Sequence, residues 1–541
     1  MARKGARPFY TIDCETDPFK EGRVPEPFIW GLYDGVDNDY HEFDTAEALV
    51  DFLSDKAALV YAHNGGRFDF HYLREYVDSD KPVRVIAGRL AAFHIGRCEF
   101  RDSMNILVNP LRAFAKEEID YAKLEPDVRH LHMPEIKQYL RSDCVNLWET
   151  IAKYFASYGR SLTQAGSAFK YWRKKYEVPF QPQTAVESEL YRPFYYGGRV
   201  ECFVTGTGAM PFKVVDINSA YPFAMTHSHP ISPKARMQDH LPASGEIGQC
   251  FVRMEAIASG SLPYRDPETD ELSFPNDGVM REYEVSGWEL LAALELDRVK
   301  IMRVIDVHRF TQMVNFTDYV MHFYDERKRA KAIGDKAADL FAKLFLNSLY
   351  GKFAADPEKY SEYVITEVEK FAHWARAGYE DLGRWSDKCQ RILLGRPLPA
   401  HLHRYYNVAT AASITGFVRA YLLRGIAACE GVLYCDTDSI AARDIRQLPV
   451  GGELGQWKLE MECDEFAIAR KKLYAFRKAG SDEWKTASKG VRLSAPDIVR
   501  CANGEAVTSA NIVPTYSFRQ PRPFFIERTV TRKKSDLHFG Q

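Results

Sequence analysis

Tyr434-Cys435-Asp436-Thr437-Asp438-Ser439-Ile440 sets two carboxylates on either side of one residue, between apolar flanks. Such a turn presents acids close together, as a grip on divalent ions beside a phosphate requires. Hard oxygen donors suit Mg²⁺, and two ions can stabilise both the entering and the leaving oxygen of phosphoryl transfer. An isolated Asp-x-Asp is ordinarily a surface Asx turn, so its company decides. Upstream, Lys213-Val214-Val215-Asp216-Ile217 is a β-branched run that ends in a carboxylate before Asn218-Ser219-Ala220-Tyr221-Pro222. Asp216 therefore sits where a strand stops and a turn begins, in a position to share ions with Asp438. Lys343-Leu344-Phe345-Leu346-Asn347-Ser348-Leu349-Tyr350 places Lys343, Asn347 and Tyr350 at i, i+4 and i+7, on one helix face. A cation, an amide and a ring on one stripe can meet a triphosphate, a sugar and a base; a solvated helix face shows the same pattern.

The N-terminal part carries separate chemistry. Tyr10-Thr11-Ile12-Asp13-Cys14-Glu15 alternates as a strand should, so Asp13 and Glu15 project from one face. Two like charges so placed repel unless a cation joins them. Ala58-Leu59-Val60-Tyr61-Ala62-His63 reads as a buried strand running into Asn64-Gly65-Gly66-Arg67-Phe68-Asp69, and Tyr139-Leu140-Arg141-Ser142-Asp143 sets a phenol and a carboxylate one helical turn apart.

Asp-x-x-Ser-x-Tyr-Pro, Lys-x-x-x-Asn-Ser-x-Tyr-Gly and Tyr-x-Asp-Thr-Asp-Ser, in that order, resemble the three polymerase motifs of family B DNA polymerases. Tyr195-Tyr196-Gly197-Gly198-Arg199, Lys472-Leu473-Tyr474 and a length of 541 residues resemble the protein-primed subgroup of bacteriophages and linear plasmids. The N-terminal elements are similar to the motifs of DnaQ-like 3′–5′ exonucleases. The resemblance implies an α/β and α+β multidomain fold: an RNase H-like exonuclease domain plus a right-hand polymerase of palm, fingers and thumb, with two insertions. It places the exonuclease at 1–155, a linker at 156–186, palm at 187–226 and 403–488, fingers at 318–355 and thumb at 489–541. An insertion at 227–317 would contact a priming protein, and one at 356–402 would serve strand displacement.

The same resemblance implies roles. Asp216 and Asp438, with the Ile217 carbonyl and with Asp436 adjacent, would hold two Mg²⁺ ions, for which Mn²⁺ can substitute. Lys331 and Lys343 would neutralise the triphosphate beside Asn347. Tyr221 would lie beneath the sugar and exclude a 2′-hydroxyl, and Tyr350 would stack near the nascent pair. Lys472 and Tyr474 would hold the primer, while Tyr195, Gly197 and Gly198 would meet template DNA. Asp13, Glu15, Asp69 and Asp143 would bind the nuclease metals, Tyr139 would orient water, and Lys116 would support the scissile phosphate. Asn64, Phe68 and Ser103 would hold the frayed primer end, Phe68 by stacking unless it is a core ring. There are departures from the family pattern. Met104 replaces the usual Leu, Asp339 stands where a lysine is usual, and Glu367–Leu382, with Trp374 and Tyr379, reads as an amphipathic helix rather than a hairpin.

Composition sets bounds. A chain of 541 residues exceeds what one core supports, and a formal net charge of −2 makes nucleic-acid contact local. Arg327-Lys328-Arg329 with Lys331 and Lys336, and Arg528, Arg532, Lys533 and Lys534, supply local charge. Ten cysteines without a CxxC pair suggest neither a zinc ribbon nor a disulfide framework, and fit a reducing cytoplasm. The pairs His130/His132, His227/His229 and His401/His403 read as structural. The N-terminus lacks an apolar signal, and no segment has the apolar length to span a bilayer. The expected function is template-directed DNA synthesis with 3′–5′ proofreading by a cytoplasmic monomer, started from a terminal protein on a linear phage or plasmid genome. The expected partners are DNA template and primer, deoxynucleoside triphosphates and that protein. The alternatives are a family B polymerase using nucleic-acid primers or none, and a DNA-binding nuclease with an inert polymerase half.

Overall fold

The computed structural model describes residues 7–114, 117–177 and 180–534. The alternating N-terminal run forms the strand Phe9–Thr16, parallel to Leu59–Ala62, which is in turn parallel to Cys98–Asp102. Tyr10, Ile12 and Cys14 of this strand enter one apolar core. Thr11, Asp13 and Glu15 point the other way, and the Thr11 hydroxyl donates to the Cys144 carbonyl at 2.8 Å. That face therefore looks at the helix Met133–Tyr158, which carries Tyr139 and Asp143.

The sheet built on this strand has ten members, and three of them come from far along the chain. Ser361–Glu367 pairs antiparallel with Pro82–Ile86, followed by Arg391–Pro397 and Glu380–Arg384. The expectation of an amphipathic helix over Glu367–Leu382 is corrected here. Only Phe371–Ala375 is α-helical, and the segment belongs to a strand meander. Trp374 does not face a helix-packed core; its indole N–H donates to Asp80 at 3.3 Å, and Asp80 also accepts from Thr366 at 2.7 Å. The end of the segment is instead claimed by antiparallel pairing of Glu380–Arg384 with Arg391–Pro397, which overrides the local pattern.

A second, seven-stranded sheet runs in the order Trp484–Ser488, Leu473–Lys478, Trp457–Arg470, Gly206–Ile217, Ser439–Asp444, Glu430–Asp436, Val200–Cys202. Its middle strand, Gly206–Ile217, is the one that ends in Asp216. The helix Val408–Ala427 is buried along almost its whole length and leads into the sheet. A helical hairpin, Thr317–Ile333 and Lys336–Phe353, turns at Gly334, whose φ of +73° caps the first helix in the left-handed region. Phe341, Phe345, Leu346, Leu349 and Phe353 bury the inner face of the second helix.

Residues 227–317 contribute a four-stranded antiparallel sheet and the helix Gly287–Glu295. That helix packs on Val408–Ala427 so closely that a Cβ at Gly416 would lie 2.1 Å from the Ser286 hydroxyl. Beyond the sheet, the helix Ala495–Ala502 covers Trp457–Arg470, and a short hairpin joins Val507–Ala510 to Glu527–Val530. The stretch between those two strands returns to the N-terminal region, where Phe518 joins the core that holds Trp385 and Ile365. Among the described residues no helix is long and apolar enough to cross a membrane.

Candidate active sites

Asp216 and Asp438 meet through backbone register. Ser439 stands opposite Asp216 across the ladder, and the Ile217 amide donates to the Asp438 carbonyl at 2.8 Å. Burial first, then the charges of Asp438 and Glu460, pushes the Asp216 carboxyl up to about 7; burial and Asp436 push Asp438 up to about 6. Like charges crowded in a half-buried place are the electrostatic signature of a cation site. Asp436 is different, because its carboxylate lies 2.7 Å from the Lys472 ammonium and accepts from the Thr437 hydroxyl at 3.0 Å. Tyr434 ties the same corner, accepting from the Lys472 amide at 2.9 Å.

The turn that separates the two acids is strained. Thr437 has φ +61°, uncommon for a β-branched residue, and the Asp438 amide folds back onto the Asp436 carbonyl at 2.6 Å. The surroundings hold it there: the Thr437 amide donates to the Arg199 carbonyl at 2.7 Å, and Gly198 packs flat against the Thr437 side chain. A Cβ at Gly198 would lie 2.6 Å from Thr437 Oγ1. Asn64, Ser219 and Lys472 are also non-glycine residues with positive φ.

Of the residues expected to meet a nucleotide, Tyr221 and Tyr350 feel the charge of Asp438. Tyr221 and Tyr350 stack with ring centroids 4.2 Å apart and planes 5° apart, joining the start of the helix Ala220–Met225 to the helical hairpin. Burial pushes the Tyr221 phenol up to about 12. Lys343 and Asn347 are exposed on the outer face of Lys336–Phe353, where the Asn347 side-chain amide donates to the Lys343 carbonyl at 2.9 Å. Lys331 is exposed near the end of the preceding helix. Asp339 ion-pairs with Arg327 at 2.8 Å, bracing one helix of the hairpin against the other. Tyr474 packs over Tyr434 and stacks on Phe476.

Two features escaped the sequence reading. Arg419, buried in the helix Val408–Ala427, bonds Glu289 at 2.7 Å and donates to the carbonyls of Tyr196 and Gly197 at 2.7 and 2.8 Å. It thereby orients the Tyr195-Tyr196-Gly197-Gly198 segment, with Tyr195 half-buried and Gly197 open to solvent. A lone arginine within the apolar run Phe417-Val418-Arg419-Ala420 was the available signal. The other is Glu460, which bonds Lys485 at 2.6 Å and acts electrostatically on both Asp216 and Asp438.

Asp13, Glu15, Asp69, Tyr139 and Asp143, with Asn64 and Phe68, line a second cleft of about 1290 Å³. Asp69 accepts from the Cys14 thiol at 3.2 Å, and burial with the surrounding acids pushes that thiol well up. Burial and then the charge of Asp143 push the Tyr139 phenol up. Phe68 is half-buried, edge-on to Phe19, Tyr72 and Tyr516. The cleft's opposite wall, Gly490–Arg492 and Val513–Ser517 among others, belongs to the C-terminal segment. Ser103 is wholly buried and bonds the ring of His63 at 2.9 Å, and His63 lines the cleft. It opens the short turn Ser103–Asn105, capped by the Asp102 side chain, which accepts from the Met104 amide at 2.9 Å. Lys116 lies outside the described residues.

Among the described residues no three His, Cys, Asp or Glu side chains converge tightly enough to enclose a metal ion by themselves. The donor set nevertheless fits a hard divalent cation, which takes oxygen ligands and keeps positions for water and substrate phosphate. Asp216 and Asp438 offer only carboxylate oxygen, in mutual repulsion that a cation would relieve.

Residues 108–381 match the family model of DNA polymerase type B, organellar and viral. The DNA-directed DNA polymerase of Enterobacteria phage PRD1 is 39% identical over 496 residues, covering 90% of this chain and 86% of that protein. The chain is a type B DNA polymerase. The DNA polymerase of Bacillus phage phi29 is 22% identical over 534 residues, 86% of each chain. Solved structures of the phi29 enzyme, including one complexed with primer-template DNA and incoming nucleotide substrates, share the fold with TM-score 0.74 at 18% identity, covering 98% of this chain and 100% of that one. The two large sheets with their helical hairpin are thus the type B arrangement of exonuclease-like and right-hand polymerase parts.

Proposed function

We propose that this type B polymerase replicates a linear phage or plasmid genome from a terminal-protein primer and proofreads with its N-terminal domain. The observation that carries the synthetic reading is the ladder step that sets Asp216 beside Asp438 at the end of the central strands. These carboxylates and the Ile217 carbonyl would hold two Mg²⁺, with Mn²⁺ able to substitute. Such ions lower the pKa of a primer hydroxyl and offset charge on departing pyrophosphate. Lys472 keeps Asp436 oriented and, with Tyr474, steadies the primer strand. Lys343 and Lys331 offer cations to the triphosphate beside Asn347, whose side-chain amide donates to the Lys343 carbonyl. The Tyr221 ring, held by its stack on Tyr350, closes the space a 2′-hydroxyl needs. Tyr195, Gly197 and Gly198 present template to the site, with Arg419 fixing their carbonyls.

In the second cleft Asp13, Glu15, Asp69 and Asp143 would hold the nuclease cations while Tyr139 orients water. Asn64 and Phe68 receive the unpaired end, and Lys116, by family resemblance, supports the scissile phosphate. The four-stranded sheet within 227–317 is read as the priming-protein contact, and 356–402 as the strand-displacement element. The parts at 187–226 with 403–488, 318–355 and 489–541 are read as palm, fingers and thumb. The working form is a monomer in the host cytoplasm.

The test offers labelled deoxynucleotide and a linear template with and without a candidate terminal protein. Nucleotide attached covalently to that protein is the expected result. Extension of DNA primers alone, with the protein never labelled, would transfer the assignment to nucleic-acid priming.

A further inference from the structure

Three stretches far apart in the chain meet at one buried guanidinium. Arg74, in the turn after Phe68-Asp69, is 4% exposed. Its Nη1 donates to the carbonyls of Ser517 at 3.2 Å and Gln520 at 2.6 Å, and its Nη2 to that of Phe518 at 3.1 Å. The guanidinium lies 4.1 Å from the ring of Trp385, whose indole N–H returns a bond to the Arg74 carbonyl at 2.8 Å. Trp385 is wholly buried and belongs to the distant segment whose strands complete the ten-stranded sheet.

The described acceptors of Arg74 are backbone carbonyls of a segment that has no regular secondary structure of its own. A buried cation satisfied in this way ties the segment down, because releasing it would strand the charge. Burial holds the guanidinium down to about 10. The residue just before the clasped carbonyls is Tyr516. Its phenol bonds that of Tyr72 at 2.8 Å, and its ring stands edge-on to Phe68 at 5.5 Å. Phe68, Tyr516 and Asp69 all line the acid-bearing cleft.

We propose that Arg74 is a positioning residue for the nuclease: by clasping residues 517–520 and stacking on Trp385, it fixes Tyr516 against Phe68 as the wall that seats an unpaired 3′ end. This inference rests on the nuclease reading above. It also makes that wall conditional on the docked Trp385 segment, so the cleft is completed by two parts of the chain outside its own domain.

The experiment compares wild type, Arg74→Ala, Arg74→Lys and Trp385→Phe. Amide hydrogen exchange over residues 515–524 reports the clasp, and release of nucleotides from a single-stranded oligonucleotide reports the nuclease. For Arg74→Ala, exchange over 515–520 should rise by about tenfold or more, as for a segment released from the native fold. KM for the oligonucleotide should rise roughly tenfold with kcat little changed, since the acids are untouched. Extension of a fully paired primer should stay within about twofold, and Arg74→Lys and Trp385→Phe should fall between wild type and Arg74→Ala. Nucleotide release by wild type that all three variants leave unchanged overturns the inference alone. Parallel loss of degradation and extension with a lowered melting temperature overturns it too, by showing a merely structural role. Absence of any release by wild type overturns the nuclease reading, and the inference with it.

Discussion

In the seven-stranded sheet Asp216 and Asp438 reach one another across a single ladder step, whereas Asp13, Glu15, Asp69 and Asp143 are delivered by a strand, a short helix and a long helix. The first site is pre-organised by backbone hydrogen bonds on two adjacent strands. The second is a cleft between layers, and its far wall is borrowed from residues 490–528. A site fixed by strand register should lose function abruptly when its acids or its turn change. A site assembled from separate pieces should also be sensitive to residues that hold the pieces together.

The most severe break is Asp438→Ala or Asp216→Asn. Cation-assisted charge stabilisation is worth several kcal/mol, and about 1.4 kcal/mol is a decade in rate, so primer extension should fall by roughly a thousandfold or more. Release of 3′ nucleotides should persist, and a gel assay reading both products would expose any shared dependence. The converse pair, Asp13→Ala with Glu15→Ala, should abolish degradation and leave extension of a paired primer intact. If extension vanished in parallel, the two acid sets would not be independent.

Gly198→Ala sharpens the contrast without touching an acid. The added methyl would lie 2.6 Å from Thr437 Oγ1 and shift the turn that carries the acids; misplacement on the order of 1 Å can cost about a hundredfold, so extension alone should fall by roughly tenfold to hundredfold. Steady-state kinetics on both activities would show whether the loss stays on the polymerase side. Tyr221→Ala should admit ribonucleotides, measured as the ratio of kcat/KM for the two sugars; it also removes a ring stack worth about 0.5–1.5 kcal/mol. The smallest effect is expected for Asp339→Ala. Its pair with Arg327 is partly solvent-exposed, so thermal unfolding should change by under about 1 kcal/mol.

The sequence was most legible where chemistry and local structure coincide. The strand ending at Asp216, the turn at Asp436–Asp438 and the helix face of Lys343 and Asn347 each depend on short-range pattern. The multidomain type B fold followed from the order of those motifs. What was illegible depended on distant partners. Ser361–Glu367 pairs along its length with Arg391–Pro397 and also docks on Pro82–Ile86, and no local periodicity announces that second neighbour. Arg419 interrupts an apolar run, and only the fold brings Glu289 and the Tyr196 and Gly197 carbonyls around it. The bond between Ser103 and the His63 ring was equally hidden, because it joins the ends of two strands that are neighbours only in the sheet.

The left-handed backbone at Thr437 has a consequence for how this enzyme would respond to directed evolution. Glycine tolerates that conformation readily, whereas a β-branched residue resists it by about 1–3 kcal/mol. Selection for heat tolerance alone should therefore enrich Thr437→Gly, and the survivors should be sturdier yet slower catalysts. A thermal screen followed by turnover measurements on the winners would reveal whether robustness and speed trade against each other at that single peptide unit.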